Sequence, residues 1–315
     1  MKYLWPSLLA VLLLITGCKN PGKEKDSSNI ISENKLDKYA VLLNDTIIYH
    51  PNFSSKYVDD RNVEIWLPPG YTTNPSEAYK VIYMHDGQNI FDQSTAYGNV
   101  EWGIDETMDS LVQNKLVPPA IVIGIWNNGR KRFPEYMPQV PEEHINNPQA
   151  QALLKENFGV TELLSNNYLK FIVEELKPFV DSTYNTSLKR EDTSIMGSSM
   201  GGLISLYALT SYPETFGAAA CVSTHWPVPL IGEVFINQLT TTLPMAGDHK
   251  IYFDYGTRGL DEDYEPYQLR VDEIMRSKGY QPQQDWISMK IDGAGHNESS
   301  WKKRAHIPLK FLLKK

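Results

Sequence analysis

The chain has 315 residues, 41% hydrophobic and 22% charged, which supplies one sizeable core and excludes a disordered or collagen-like body. A formal net charge of −8 without a Lys/Arg cluster excludes a nucleic-acid surface, which must gather cations on one face to neutralise phosphates. The composition suits a neutral or sugar-like ligand better than a polyanion.

Lys2 precedes an apolar run from Leu4 to Ile15, broken only by Pro6 and Ser7. The run is too short to cross a bilayer comfortably and has the layout of a signal peptide. It ends in Ile15-Thr16-Gly17-Cys18, which resembles a bacterial lipobox: cleavage after residue 17 would leave Cys18, lipid-modified, as the mature N-terminus. Residues 18–38 are polar, with Pro, Gly, Ser and mixed charges, and read as a flexible tether. The expected division is therefore a signal peptide at 1–17, a tether at 18–38 and one domain at 39–315. A lipoprotein held in the cell envelope, periplasmic or surface-facing, follows. The second cysteine, Cys221, lies in an apolar run and reads as a buried thiol rather than a disulfide partner.

Alternating runs at 40–49 and 62–67 suit strands, the second closed by Pro68-Pro69-Gly70. From Tyr79 onward, short apolar runs (80–84, 120–126, 193–196, 218–223, 250–255, 286–291) alternate with amphipathic stretches (104–114, 161–183, 200–211, 265–278, 298–313). Strand alternating with helix predicts βαβ units: a mostly parallel central sheet with helices on both faces, preceded by antiparallel N-terminal strands. Residues 127–160, with Pro134, Pro138, Pro141 and Pro148, show no clear period and are expected to form an irregular loop over the carboxyl edge of the sheet.

The informative segment is Gly197-Ser198-Ser199-Met200-Gly201. Gly-x-Ser-x-Gly is weak alone, but here an apolar strand runs in and an apolar helix runs out, the setting of a nucleophile elbow. Such a turn exposes Ser199 Oγ and aims the Met200 N–H, at the helix start, toward a developing oxyanion. A serine hydroxyl needs a base, and the base an orienting acid. His296, in Gly293-Ala294-Gly295-His296 after the last strand, fits the Ser, acid, His chain order, read as lying in a glycine-rich loop. For the acid, the run after strand 250–255 offers Asp261, Glu262 and Asp263; Asp261, first after the glycine turn, is the choice, and the other two stay open. The second oxyanion donor is expected from Tyr83-Met84-His85-Asp86-Gly87-Gln88-Asn89, at the Gln88 N–H, with His85 and Asp86 holding the loop. Trp102, Trp126, His225 and Trp226 lie near the expected mouth as candidate substrate-binding residues. No metal-ligand spacing surrounds Ser199, and neither metal nor cofactor is expected.

With these residues in view, the chain resembles the Putative esterase family of α/β-hydrolases, which holds feruloyl and acetyl-xylan esterases, S-formylglutathione hydrolase and trilactone siderophore esterases. The likeness runs from about Asn62 to Leu313. It is carried by Tyr83 to Phe91, Gly124-Ile125-Trp126-Asn127 with Arg132 and Glu135, Glu175 to Pro178, Gly197 to Gly202, Tyr252 to Thr257, and Gly293 to His296 with Trp301. It implies the α/β-hydrolase fold and an acyl-enzyme mechanism without cofactor, with Ser199, Asp261 and His296 as triad and Gln88 and Met200 as oxyanion hole. Three readings compete: an esterase for feruloyl or acetyl groups on carbohydrate, a trilactone siderophore esterase, and a ligand-binding lipoprotein on a hydrolase scaffold. Charge separates the first two, since an anionic ferric catecholate needs several cations, and Arg130, Lys131 and Arg132 keep that option open. An intact Ser, acid, His set argues against the third.

Overall fold

The computed structural model describes residues 41–42, 46–74, 76 and 78–314. The segments expected as signal peptide (1–17) and tether (18–38), with Cys18, lie outside the described residues.

Among the described residues nine strands form one sheet: β1 (Val41–Leu42), β2 (Ile47–Phe53), β3 (Arg61–Trp66), β4 (Lys80–His85), β5 (Ala120–Ile125), β6 (Thr193–Ser198), β7 (Ala218–Val222), β8 (Lys250–Arg258) and β9 (Trp286–Gly295), in the order β1-β2-β3-β5-β4-β6-β7-β8-β9. β1, β2 and β3 pair antiparallel, β3 joins β5 antiparallel, and every pairing from β5 to β9 is parallel. β5, β6 and β7 are buried along their whole length, which is why β5 and β7 read as unbroken apolar runs rather than alternations. This is the α/β-hydrolase architecture that the family resemblance implies.

Period-two alternation sends strand residues to two cores. Val81, Tyr83, Ile121 and Ile123 join one, under helices Met200–Ser211, Gly232–Thr242 and Glu265–Ser277; Ile82, Met84, Ala120 and Val122 join the other, under Ile104–Gln113 and His306–Leu313. Small residues along β7 let helix Met200–Ser211 press close, so a Cβ on Gly202 would stand 3.0 Å from Thr224 Oγ1 and 3.3 Å from the Cys221 backbone. Cys221 is a free, buried thiol whose pKa burial pushes well above the ordinary value.

Three sequence expectations are corrected. Residues 127–160 are largely helical, with Arg132–Tyr136, Glu142–Ile145 and Pro148–Phe158. Pro148 starts the last of these instead of breaking it, because a first-turn proline lacks only an N–H that has no helical partner, and Asn147 caps the turn by accepting from the Ala150 N–H. The helical run expected at 298–313 divides at Ala305 into Glu298–Arg304 and His306–Leu313. β8 and β9 extend past the predicted ends, to Arg258 and Gly295, so no glycine-rich loop precedes His296. Among the described residues no helix is long and apolar enough to cross a membrane.

Candidate active site

β6 ends at Ser198, and the chain turns through Ser199 at φ 57, ψ −121 into helix Met200–Ser211. Left-handed backbone at a non-glycine residue costs about 1–3 kcal/mol and persists only where its surroundings enforce it. Here the Ser199 N–H donates to the Val222 carbonyl at 2.9 Å, and the Ser199 carbonyl accepts from Gly202, Leu203 and His225. Gly197 is sterically required, since a Cβ there would stand 2.7 Å from Gly201 C. A Cβ on Gly201 would meet the His85 and Asp86 side chains no closer than 3.4 Å, so the second glycine of the motif is not fixed by the same crowding. Met200 opens the helix, and its N–H has no acceptor within that helix.

The ends of β8 and β9 supply the partners. His296 directly follows β9, and Asp261 lies in the tight turn Gly259–Asp263 after β8. His296 Nε2 is 2.8 Å from Ser199 Oγ, and His296 Nδ1 is 2.6 Å from Asp261 Oδ1. Asp261 is 1% exposed while Glu262 and Asp263 are exposed. Burial alone would raise the Asp261 pKa, but hydrogen bonds from His296, from Ser223 Oγ at 2.7 Å and from the Gly256 N–H at 2.6 Å outweigh it and hold the carboxyl below its ordinary value. An ionised carboxylate only accepts, so the imidazole proton sits on Nδ1 and leaves Nε2 to accept from Ser199. Gly256 is needed for this junction: a Cβ on it would stand 2.2 Å from the Ala294 carbonyl oxygen and 2.9 Å from Asp261 Oδ2.

Gln88 lies in the turn Gly87–Asn89 after β4, and Gly87 packs so tightly on β5 that a Cβ would stand 2.5 Å from Gly124 C. Asp86, left-handed at φ 57, fastens this turn to the following segment: Oδ1 accepts from Arg132 Nε and from Asn127 Nδ2, both at 2.7 Å, and Oδ2 accepts from Arg132 Nη2 at 2.8 Å. His85 is buried behind it with Nδ1 2.8 Å from the Tyr168 hydroxyl, and burial, aided by the Arg132 charge, drives its pKa down to about 3. It is neutral.

A cavity of about 550 Å³ opens over Ser199 and His296. Its walls include Gln88, Tyr97, Arg132, Phe133, Glu298 and Trp301. Trp102 and Trp226 are not among them, because both are core residues at 4% and 1% exposure: Trp226 Nε1 donates to Gln268, and Trp102 packs behind Trp301 at 5.6 Å between ring centroids. Trp126 instead packs on Tyr49, 6.1 Å between centroids, and does not line the cavity. His225 lies beside the site, 6.2 Å from the His296 ring, held by the Tyr264 hydroxyl at 2.5 Å from its Nδ1, and burial lowers its pKa to about 4. Trp301, edge-on to His296 at 5.0 Å, was the residue to choose, since it stands on the helix right after the histidine. Among the described residues no group of three or more His, Cys, Asp or Glu side chains is arranged to hold a metal ion.

Residues 54–304 match the family model described as Putative esterase. The uncharacterized protein YbbA of Bacillus subtilis (strain 168) is 23% identical over 271 residues, 84% of this chain and 97% of that protein. The ferri-bacillibactin esterase BesA of the same organism is 27% identical over 179 residues, 55% of this chain and 57% of BesA. Among solved structures, a ferulic acid esterase shares the fold with a TM-score of 0.60 at 17% identity, over 85% of this chain and 98% of that one.

Proposed function

The chain belongs to the Putative esterase family and is an esterase, and from that premise we propose that it works as a serine esterase through an acyl-enzyme. The observation that carries this reading is the relay from Ser199 Oγ to His296 at 2.8 Å and from His296 to Asp261 at 2.6 Å. As His296 Nε2 takes the hydroxyl proton, Ser199 Oγ attacks the ester carbonyl, and the oxyanion accepts from the Met200 and Gln88 N–H groups. Collapse expels the alcohol, which takes the proton back from His296, leaving the acyl group on Ser199. Water then repeats the sequence, and the acid leaves with Ser199 restored. Asp261 keeps the imidazole in the required tautomer and stabilises the imidazolium.

The substrate we propose is a neutral ester, feruloyl or acetyl, on carbohydrate. Within the cavity the Arg132 charge is offset by Asp86, and Glu298, whose pKa burial raises, adds no cation. Lys131 is exposed and paired with Asp59, and Arg130 is exposed and not among the residues lining the cavity. No concentration of positive charge awaits a ferric catecholate, whereas Phe133, Tyr97 and Trp301 offer aromatic surface to a phenolic acyl group or a sugar ring. The match to BesA favours a second reading, a siderophore trilactone esterase.

Purified protein assayed on p-nitrophenyl acetate, butyrate and ferulate, a feruloylated oligosaccharide and a catecholate trilactone separates them. Faster turnover of the oligosaccharide supports the first reading and faster turnover of the trilactone the second. No turnover of any, with no fluorophosphonate labelling, leaves the binding-protein reading.

Lipid anchoring in the envelope through Cys18 is part of the same proposal. Cys18→Ser should abolish incorporation of labelled palmitate; incorporation that persists refutes it.

A further inference from the structure

Behind Asp261 lies a buried network that the relay itself does not use. Ser223 follows β7, is 0% exposed and adopts φ 41. A hydroxyl has one proton to donate and two lone pairs to accept with. Both acceptor positions of Ser223 Oγ are taken by groups that can only donate: Trp301 Nε1 at 3.1 Å and Arg304 Nη2 at 2.8 Å. The one remaining direction holds Asp261 Oδ2 at 2.7 Å.

We propose that Ser223 is a positioning residue for the esterase reaction, a hydroxyl locked by Arg304 and Trp301 into donating its proton to Asp261, so that Asp261 Oδ1 stays aimed at His296. The inference rests on the triad reading above.

Arg304 is itself aimed, not merely buried. Its Nε and Nη2 each donate to Asp254 at 3.0 Å, and Asp254 also accepts from the Tyr252 hydroxyl at 2.8 Å. The Ser223 N–H closes the ring on the Asp254 carbonyl at 2.9 Å. The order Arg304, Ser223, Asp261, His296, Ser199 is thus one chain of hydrogen bonds running from the last helices to the nucleophile. Asp261 receives its other fixed donor from the Gly256 backbone, so a freed Oδ2 would lose one of two anchors and could swing about its side-chain torsion.

The test compares Ser223→Gly with the parent. Glycine accepts φ 41 without strain and so favours folding, while removing the hydroxyl. Since a hydrogen bond to a charged group contributes about 1.5–3 kcal/mol, kcat should fall by about 10- to 100-fold. KM should be unchanged, because Ser223 lines no wall of the cavity. The far-downfield proton resonance of the bond between His296 Nδ1 and Asp261 should be visible in the parent and shift or broaden in the variant. Ser223→Ala, with the strain retained, should repeat the kinetic loss.

A role confined to satisfying buried Arg304 and Trp301 predicts something else: a lower melting temperature with kcat of the folded protein within twofold of the parent and the resonance unmoved. That outcome overturns the inference about Ser223 while Ser199→Ala remains inactive. If Ser199→Ala instead keeps the parent kcat, the triad reading falls and takes this inference with it.

Discussion

Asp86 and Arg132, 46 residues apart in the chain, meet through both carboxylate oxygens, Oδ1 2.7 Å from Nε and Oδ2 2.8 Å from Nη2, in the wall of the cavity. The pair ties the turn that carries Gln88 to the helix that carries Phe133, two segments that line the cavity. Removing one partner of a buried pair costs about 3–5 kcal/mol because the other charge is left uncompensated.

Asp86→Asn keeps a residue that tolerates the left-handed backbone and removes the charge. We expect a loss of about 3 kcal/mol in urea unfolding and a higher KM. Burial would raise the Asp86 pKa, but the Arg132 charge and the hydrogen bonds from Arg132 and Asn127 hold it below the ordinary 3.8. A lowered folded value means that the contribution is complete above 3.8 and is lost as pH falls through the folded value. The stability gap between parent and variant should therefore be constant from about pH 8 to 5 and close in stronger acid. A gap that widens toward pH 4 would contradict the pairing.

Ser199 holds φ 57, ψ −121, and its side chain makes no capping hydrogen bond to the helix it opens. Ser199→Ala and Ser199→Gly should both lose ester hydrolysis by several orders of magnitude, and a fluorophosphonate should label only the parent. Ser199→Gly should be the more stable of the two by about 1 kcal/mol, because glycine meets that backbone without strain. Equal melting temperatures, or labelling at Ser198, would count against this geometry.

Asp261→Asn should lower kcat/KM by about four orders of magnitude, since an amide at that position presents the wrong partner to His296 Nδ1. Asp263→Asn and Glu262→Gln should be near neutral, because both side chains are exposed and neither meets the imidazole. A severe Asp263→Asn with a mild Asp261→Asn would reassign the acid.

His85 and His225 are held neutral by burial, with folded pKa values of about 3 and about 4 against an ordinary 6.5. Unfolding lets both take up protons, so acid favours the unfolded chain. These two sites lower stability below pH 6.5 by about 1.4 kcal/mol per pH unit each until the folded value is reached, against an opposite contribution from Glu64 and Asp105, whose carboxyls burial raises to about 7. Urea unfolding of the parent and of His225→Asn at pH 7 and pH 5 isolates the site: the change in stability between the two pH values should be less favourable in the parent by about 2 kcal/mol. The same change in both proteins would refute a neutral buried imidazole at 225.

Sequence by itself determined the parallel sheet, the serine at the strand-to-helix turn and the histidine after the last strand. Each of these is local: the strand periods of β4 to β9, the glycine at 197 and the chain order are carried by adjacent residues. The choice among Asp261, Glu262 and Asp263 was not local, because three carboxylates in a row share one composition. Only the turn at 259–263, seated where Gly256 lets β8 touch the Ala294 carbonyl, buries the first and exposes the other two. The same holds for the tryptophans. Trp102, Trp126 and Trp226 follow strands or stand near them in sequence, yet side-chain direction sends the first and last into the core and Trp126 onto Tyr49, while Trp301 reaches the cavity from a helix. Ser223 and Arg304 carry no motif, and Asp254, though inside the Tyr252 to Thr257 stretch, has no role legible there; they meet because the end of β7, the middle of β8 and the end of helix Glu298–Arg304 converge behind Asp261, and burial then obliges every donor there to find an acceptor.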